Sequence, residues 1–319
     1  MALAPDAVRH PESPGVLLGL RRAPPWLALL VLLAAGQVRA GEVRAGEVCP
    51  GLFAEGAPPV LTNPKLSSET ASLCYDAFSV LHSGLARTPL YAAEHLTRAS
   101  VAAARRVERI DAFHDEDRLA PEARARIEDY VHSGYDRGHM APAGDMPTGA
   151  AQAQSFSLAN IVPQNRAFNR GLWAGIEESV RRFASERGEI FVVTGPVFQG
   201  DTAQSIKGRV LVPTQLFKAI YDPARGEAGA YLAPNRADAD WRAISLDELK
   251  GIAGLDVFPT LPDRVKARAM RLPEPRDEPR GEASEGRPRQ HADVWAGWAR
   301  SELLRILRRA LRDVLRSIF

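Results

Sequence analysis

The chain has 319 residues, of which 45% are hydrophobic and 25% are charged, with 25 glycines and 24 prolines. These fractions are typical of a globular protein and exclude a collagen-like or wholly disordered chain. With 41 Lys and Arg against 39 Asp and Glu, the formal net charge is +2, so a nucleic-acid function would have to rest on local chemistry.

The first 45 residues have the pattern of a secretory signal peptide. Arg21 and Arg22 precede an apolar run over residues 26–35, and small residues follow it. The run is shorter than the roughly 20 residues that span a membrane, which makes a permanent anchor the weaker alternative. We therefore predict a signal peptide over 1–45, cleaved after Ala40 or Ala45, and a secreted or periplasmic protein.

Both cysteines lie after the predicted cleavage sites. Cys49 and Cys74 are 25 residues apart, and an oxidising compartment favours a disulfide between them. Two buried free thiols are the alternative. The sequence has no Cys-x-x-Cys spacing of the kind that binds zinc.

The pattern of apolar residues predicts a mixed α+β domain. Residues 65–83 suggest a helical entry segment, 88–93 a short strand and 117–130 a helix with Pro121 in its first turn. Residues 132–149 contain too many Gly and Pro residues for a helix and are better interpreted as a strand plus a loop.

The clearest helix begins near Asn169 and ends at Gly188. Apolar residues recur in it at three- and four-residue spacing, namely Leu172, Trp173, Ile176, Val180 and Phe183. A buried strand over 189–198, broken at Gly195 and Pro196, follows it, and 209–221 predicts another strand with Pro213 at a bulge or edge.

The C-terminal quarter differs in composition from the rest. Residues 271–293 are rich in Pro, Glu, Arg and Gly and predict a flexible linker after a core-bearing domain over 46–270. Residues 294–319 predict a basic amphipathic helical tail, with six Arg against Glu302 and Asp313. This tail could pack on its own domain, pair with another copy, lie on a membrane surface or contact nucleic acid.

The segment Asp136-Arg137-Gly138-His139 combines groups suited to phosphate chemistry. Histidine is the usual general base near neutral pH. On a strand, Arg137 would share the face of His139 and could present a fork of donors to a phosphate. Gly138 would let the substrate approach the backbone closely.

Two further polar residues fall on the predicted helix. Asn169 and Glu177 are eight residues apart, about two helical turns, so both can face one side. Such oxygen ligands suit Mg²⁺, which keeps most of its waters and can be held by one direct Asn oxygen. These residues and Asn160, in an otherwise apolar region, predict a catalytic site.

These motifs resemble those of the sugar-nonspecific DNA/RNA endonucleases of the ββα-metal type, a family that includes endonuclease G. The resemblance spans roughly residues 87–221. It rests on Asp-Arg-Gly-His at 136–139, on Asn-Ile-Val-Pro-Gln at 160–164, on Asn169 with Glu177, and on Val-Thr-Gly-Pro-Val-Phe at 193–198. It implies a ββα-metal core with a mainly antiparallel sheet flanked by helices.

The resemblance also assigns roles to residues. It implies that His139 removes a proton from the attacking water and that Asn169 holds the metal. Glu177 would orient the waters of the metal, and Asn160 would support the site of His139. Arg137 would stabilise the charge that develops on the phosphate.

An upstream arginine of the family that binds phosphate has a looser match here. Both Arg106 and Arg109 are candidates, with Arg109 preferred. The implied activity is an endonuclease that needs Mg²⁺, with Mn²⁺ as a substitute, and cuts DNA and RNA with little sequence preference to leave 5′-phosphate ends.

Two other functions remain open from the sequence. The first is a catalytically silent protein that binds nucleic acid or a surface through its arginine-rich tail. The second is a metal phosphodiesterase for small substrates. The sequence also leaves open whether the chain forms a homodimer and whether the tail contacts a membrane surface or another protein.

Overall fold

A computed structural model describes residues 49–200 and 204–275. The predicted signal peptide, most of the linker and the basic tail lie outside the described residues and stay predictions. Among the described residues, no helix is long and apolar enough to cross a membrane.

Thirteen strands are present in the described part of the chain. They are β1 Val60–Leu61, β2 Thr70–Cys74, β3 Phe78–Ser83, β4 Thr88–Thr97, β5 Asp136–His139, β6 Ile161–Gln164, β7 Glu189–Val197, β8 Ser205–Ile206, β9 Val210–Leu211, β10 Gln215–Asp222, β11 Glu227–Pro234, β12 Arg242–Ile244 and β13 Leu255–Asp256.

The helices are shorter elements between these strands. The α-helices are α1 Arg98–Ala104, α2 Ile127–Tyr130, α3 Gly149–Ser155, α4 Arg166–Phe168, α5 Ala174–Arg187, α6 Leu246–Ala253 and α7 Asp263–Lys266. A π-helical turn at Asn169–Trp173 joins α4 to α5. Single 3₁₀ turns occur at Pro50–Leu52, Ala54–Gly56, Pro64–Leu66, Ala143–Asp145 and Leu158–Asn160.

Seven strands form the central sheet, in the order β12-β11-β10-β7-β4-β3-β2. Every pairing in it is antiparallel. The structure therefore confirms the predicted α+β class with a mainly antiparallel sheet. Three separate two-stranded pairs, β1 with β13, β5 with β6 and β8 with β9, surround the sheet.

The sheet carries a hydrophobic core on each face because its strands alternate apolar side chains between the two sides. On one face, Ala92, Val192 and Leu216 pack with Trp173 and Ile176 of the helical segment. On the other face, the core contains Ala93, Val193 and Phe217 and is covered by α6 and by the segment around Phe53. The first face holds the strands that carry the candidate site.

The predicted helix over residues 65–83 is wrong. After a 3₁₀ turn at Pro64–Leu66, the chain forms the antiparallel hairpin of β2 and β3. The burial of Ala71 and Leu73, with Ser72 exposed between them, has the two-residue period of a strand. Packing of this alternation against the sheet outweighs the weak helical preference of the segment.

Only the last four residues of the predicted helix over 117–130 are helical, in α2. Ionic contacts fix the remainder as turns. Arg118 binds Glu116 with Nε to Oε1 at 2.7 Å, and Arg124 binds Asp117 with Nη1 to Oδ1 at 2.7 Å. Tertiary contacts of this kind override helix propensity.

Of the two later strand predictions, the first placed a break where there is none, and the second placed its irregularity correctly at Pro213 but expected one strand where there are two. Strand β7 continues through Gly195 and Pro196 to Val197, with Pro196 opposite Leu216. A Cβ on Gly195 would lie 2.5 Å from the carbonyl oxygen of Leu90. The glycine therefore allows two strands to pack closely and does not interrupt β7. In contrast, the predicted strand over 209–221 is split around Pro213 into β9 and β10.

The start of the predicted linker is part of the core. Met270 and Leu272 are buried among the side chains of the main core. The hydroxyl of Tyr231 donates to the carbonyl oxygen of Pro273 at 2.6 Å, and Ser179 Oγ donates to that of Glu274 at 3.0 Å. The packed domain therefore extends at least to Glu274, beyond the predicted boundary at residue 270.

The predicted disulfide between Cys49 and Cys74 is present, with the Cα atoms 6.0 Å apart. It ties the segment before the first 3₁₀ turn to β2, which is an edge strand of the sheet. Closing a loop of 25 residues limits the freedom of the unfolded chain.

We expect the double substitution Cys49→Ser and Cys74→Ser to lower the free energy of unfolding by about 3 kcal/mol, because the loop-closure constraint is lost. Urea denaturation followed by tryptophan fluorescence measures this difference. Reduction of the wild type with dithiothreitol should give the same loss, and equal stability of oxidised and reduced protein would contradict the expectation.

Candidate active site

Two short strands and the helix after them form the framework of the site. Strand β5 pairs with β6 in antiparallel register, which sets Arg137 opposite Pro163 and His139 opposite Ile161. The chain then enters α4, the π-helical turn and α5. This order of elements is the ββα unit that the sequence predicted.

His139 lies at the end of β5 in an aromatic environment and is only 8% exposed. The rings of Phe156 and Phe113 pack against the imidazole, with centroid distances of 4.9 and 5.4 Å. Nε2 is buried and has no hydrogen-bond partner among the described residues. Burial, with the charges of Arg109 and Arg137, lowers the pKa of His139 to about 3, so the imidazole is neutral and can accept a proton at neutral pH.

Gly138 is required for a different reason from the one that the sequence suggested. A Cβ at this position would lie 1.9 Å from Oε1 and 2.6 Å from Cβ of Gln164, which is the last residue of β6. The space above Gly138 is therefore filled by a protein side chain and does not admit the substrate.

Asn160 supports the site through hydrogen bonds to the backbone. Its amide is fully buried, and its Oδ1 accepts a hydrogen bond from the backbone N–H of Ala141 at 2.9 Å. Its Nδ2 donates to the carbonyl oxygens of Ala141 and Ser155, both at 2.9 Å. Asn160 thus fixes the chain two residues beyond His139 and acts as a positioning residue.

Asp136 organises the opposite side of the cleft. Its carboxylate accepts a hydrogen bond from Nδ2 of Asn169 at 3.2 Å and pairs with Arg170 at 2.8 Å and Arg166 at 3.2 Å. Burial works against ionisation, but these hydrogen bonds and charges lower the pKa of Asp136. Because the carboxylate binds the amide nitrogen, the amide oxygen of Asn169 is left for another partner.

The helix that carries these residues starts earlier than predicted. Asn165 caps it, accepting a hydrogen bond from the backbone N–H of Phe168 at 3.2 Å. Asn169 therefore lies inside the helical segment, at the first residue of the π-helical turn. Helix α5 ends at Gly188, as predicted. Turns of the π type are often found at functional sites.

Glu177 lines the same cleft as Asn169 and His139. Burial raises the pKa of its carboxyl group, while the positive charges of Lys218 and Arg181 act in the opposite direction. Arg181 also binds Asp145, with Nη1 to Oδ1 at 2.8 Å. Glu177 is partly buried, and charged groups from both the cleft (Arg181) and the sheet (Lys218) act on it.

The cleft has a volume of about 1010 Å³ and is rich in arginine. The described arginines that line it are Arg109, Arg137, Arg166, Arg170 and Arg181. Arg137 stacks on the ring of Phe113 at 4.0 Å, and Arg109 lies 5.5 Å from the ring centre of Phe156. Of the two upstream candidates for phosphate binding, the structure brings Arg109 into the cleft, while Arg106 does not line it.

Several charged residues, some in the cleft and some buried in the central sheet, were not identified from the sequence. Arg181 follows Glu177 by one helical turn, a spacing that could have identified it. Lys218 stands in the middle of an apolar strand and Glu94 in another, and a charge in such a pattern is a detectable signal. Arg166 and Arg170 carried no comparable signal, because exposed helical arginines are common.

The donors present fit a single hard cation held mainly by water. No group of three or more His, Cys, Asp or Glu side chains suited to a metal occurs within residues 49–200 and 204–275. Asn169 supplies a neutral amide oxygen and Glu177 a carboxylate in the same cleft. Magnesium, which keeps several of its waters and needs few protein ligands, matches such a donor set better than zinc does.

Comparison with known proteins agrees with this geometry. The sequence profile of the family described as DNA/RNA non-specific endonuclease matches residues 58–264. The chain is 31% identical to "Nuclease 1, mitochondrial" of Schizosaccharomyces pombe, over 55% of this chain and 62% of that protein. It is 33% identical to "Endonuclease G, mitochondrial" of Caenorhabditis elegans, over 59% of this chain and 68% of that protein.

A solved structure shares the fold. The chain superimposes on a crystal structure of an EndoG/EndoGI complex with a TM-score of 0.53 and 26% identity, over 61% of this chain and 88% of the other. The chain spans less than two thirds of the length of some relatives, including 58% of the human nuclease EXOG, to which it is 30% identical.

These relatives also correct one prediction. The proteins from Schizosaccharomyces pombe, Caenorhabditis elegans and human are all named as mitochondrial. The predicted secreted or periplasmic location is therefore wrong; it depended on interpreting residues 1–45 as a secretory signal.

We expect Gly138→Ala to lower the free energy of unfolding by about 2 kcal/mol, because the new methyl group overpacks the contact with Gln164. Chemical denaturation measures the change. Adding Gln164→Ala should recover part of the loss, since it removes the Oε1 that lies 1.9 Å away. Gly149→Ala is the control, as a Cβ there meets nothing within 4 Å. A fully stable Gly138→Ala protein would contradict the packing role.

We expect Arg109→Gln to raise the pKa of His139 from about 3, because removal of a nearby positive charge makes the protonated imidazole less unfavourable. Titration of the histidine ring by NMR measures the pKa directly. Arg106→Gln, a substitution outside the cleft, should leave it unchanged. An identical His139 pKa in the wild type and the Arg109→Gln protein would show that Arg109 does not act on the imidazole.

Proposed function

Because the chain belongs to the family of DNA/RNA non-specific endonucleases, we propose that it is a divalent-metal-dependent endonuclease. It hydrolyses phosphodiester bonds in DNA and RNA with little sequence preference. The observation that carries the proposal is a neutral imidazole, His139, whose Nε2 has no hydrogen-bond partner among the described residues and which shares an arginine-lined cleft with Asn169 and Glu177.

His139 is the general base of the proposed reaction. Its pKa of about 3 keeps the ring neutral, and it accepts the proton of the water that attacks phosphorus. A base with so low a pKa is weak, since the best catalytic pKa lies near the working pH. A phosphate bound beside Arg109 and Arg137 offsets their positive charges and raises the pKa of His139 during binding.

The arginines of the cleft bind the substrate. Arg137 and Arg109, held on aromatic rings, point guanidinium donors at the phosphate, and they stabilise the negative charge of the pentavalent transition state. Guanidinium contacts to phosphate carry no base information, which accounts for the low sequence preference. These contacts are made to the phosphate and not to the sugar, so both DNA and RNA are expected substrates.

Asn169 would hold the divalent ion through its amide oxygen, with Asp136 fixing the orientation of the amide. When bound, such an ion neutralises charge on the phosphate and stabilises the leaving 3′ oxygen, which leaves a 5′-phosphate. Glu177 faces the cleft from one side of α5 and orients water there. We propose Mg²⁺ as the ion, with Mn²⁺ as a substitute. That the chain forms a homodimer also remains a proposal.

We expect the protein to nick supercoiled plasmid and degrade RNA with Mg²⁺ and to lose both activities with EDTA. His139→Ala should reduce kcat by roughly 10²- to 10⁴-fold, because general-base assistance is lost. Asn169→Ala should raise the Mg²⁺ concentration needed for half-maximal activity. Agarose gel assays and a fluorescent oligonucleotide assay measure these changes.

His95→Ala is the matched control for the histidine substitution. His95 lies on β4, stacks on Phe191 and pairs with Glu189 at 2.7 Å, and it does not line the cleft. It should leave cleavage unchanged. Folded wild-type protein that cleaves neither substrate with Mg²⁺ or Mn²⁺ would contradict the proposed function and favour a protein that only binds nucleic acid.

A further inference from the structure

The cleft has an apolar end as well as its arginine-rich part. Ile127 at the start of α2, Val131 just after it and the aromatic residues Tyr130 and Tyr135 all line the cleft. Val131 is 46% exposed and is one of the few large hydrophobic side chains in the described part of the chain that face solvent. Apolar groups of this kind do not bind phosphate, so this end of the cleft serves another part of a ligand.

Tyr135 lies in line with the residues that act on the phosphate. It directly precedes β5, and Tyr135, Arg137 and His139 are alternate residues that all line the cleft. Four residues of extended chain span about 13 Å, which is the upper limit for the distance between the backbones of Tyr135 and His139. A nucleic-acid strand whose phosphate lies beside His139 and Arg137 therefore reaches Tyr135 within a few nucleotides.

The position of the Tyr135 ring is fixed by local contacts. Its backbone N–H donates a hydrogen bond to Oγ of Ser133 at 3.2 Å, and the half-buried ring packs against the small core beside β6, β8 and β9. The hydroxyl makes only a long contact, at 3.4 Å, with Oε1 of Gln204. An aromatic ring that is held in this way loses little conformational entropy when a ligand binds.

The ring of Tyr135 differs from the other aromatic ring at this side of the cleft. Phe113 packs against His139 and carries the guanidinium of Arg137 at 4.0 Å. Within residues 49–200 and 204–275, no ring or cation is stacked on Tyr135. Its partner is therefore expected to come from the ligand. Nucleobases stack on aromatic side chains whatever their sequence, because every base has a π face.

We propose that Tyr135, flanked by Ile127 and Val131, is a base-stacking subsite that takes one unpaired base of the substrate a few nucleotides from the phosphate beside His139. The subsite deepens the proposed function, on which it rests for the identity of its ligand. Since a base inside a continuous duplex is covered by its neighbours, the occupant is a nucleotide of single-stranded DNA or RNA, or one that is locally unstacked.

The test measures how much the bases add to binding beyond the phosphates. Fluorescence anisotropy of the full chain in EDTA, with a gel to verify that the strands stay intact, gives the Kd for oligothymidylate of about 12 nucleotides and for an abasic strand with the same number of phosphates. Because the arginines contact both strands alike, the wild type should bind oligothymidylate at least 5-fold more tightly, as base stacking on one aromatic ring predicts.

Tyr135→Leu keeps an apolar side chain against the small core and removes the ring. It should lower the affinity for oligothymidylate to that for the abasic strand and leave the abasic affinity unchanged. With Mg²⁺ it should raise the KM for single-stranded DNA and change kcat little. Tyr135→Phe keeps the ring and should keep the preference. Val131→Ala, at an exposed position where little packing is lost, should reduce the preference by a smaller factor.

His132→Asn is the matched control for these variants. His132 is an exposed residue of the same turn that does not line the cleft, and asparagine tolerates its positive φ of 57°. This substitution should leave both affinities unchanged, and thermal unfolding verifies that each variant is folded.

Equal affinity of the wild type for the two strands would overturn the subsite, and so would an undiminished preference in both Tyr135→Leu and Val131→Ala. If the wild type still cleaves plasmid and RNA in that case, the proposed function stands. Conversely, a wild type that binds oligothymidylate through Tyr135 but cleaves neither substrate with Mg²⁺ or Mn²⁺ would contradict the proposed function and leave the subsite in place.

Discussion

The site depends on the close pairing of two four-residue strands, β5 and β6. Gly138 and Gln164 touch so tightly that no side chain fits between them, and the buried amide of Asn160 ties the end of β5 to the chain that precedes β6. Together these contacts fix where His139 stands relative to the helix that follows. The imidazole can then be surrounded by aromatic rings on one side and still face the cleft.

Charge burial is the second constraint on the molecule. Five arginines line the cleft, and carboxylates balance the charges of three of them. Asp136 pairs with Arg166 and Arg170, and Asp145 pairs with Arg181. Arg137 and Arg109 are instead supported by aromatic rings. The cations nearest to His139 therefore keep more of their positive potential for an anionic ligand.

Local patterns in the sequence predicted much of the fold and of the site. The periodic helix up to Gly188 and the strands predicted over 88–93 and 189–198 follow from spacing, although the first of these strands continues to Thr97. The grouping of His139, Asn169 and Glu177 follows from their residue types together with the resemblance to the nuclease family. The helix predicted over 65–83 failed because a strand alternation is short and depends on a neighbouring strand. Lys218 and Glu94 lie on different strands, and only the sheet order brings them to one place.

The π-helical turn at Asn169–Trp173 makes the length of this segment as important as its residues. In a regular α-helix, residues eight positions apart would differ by about 80° in direction. A π turn contains one extra residue and rotates each residue by less, which brings Asn169 and Glu177 closer to a common face. Loss of one residue between Asn169 and Glu177 would leave them seven positions apart in a regular helix, which keeps them within about 20° of one direction but shortens their separation along the helix axis by about 1.5 Å. The turn thus sets how far apart the two side chains stand along the helix, a property that a residue-by-residue comparison of side chains would overlook.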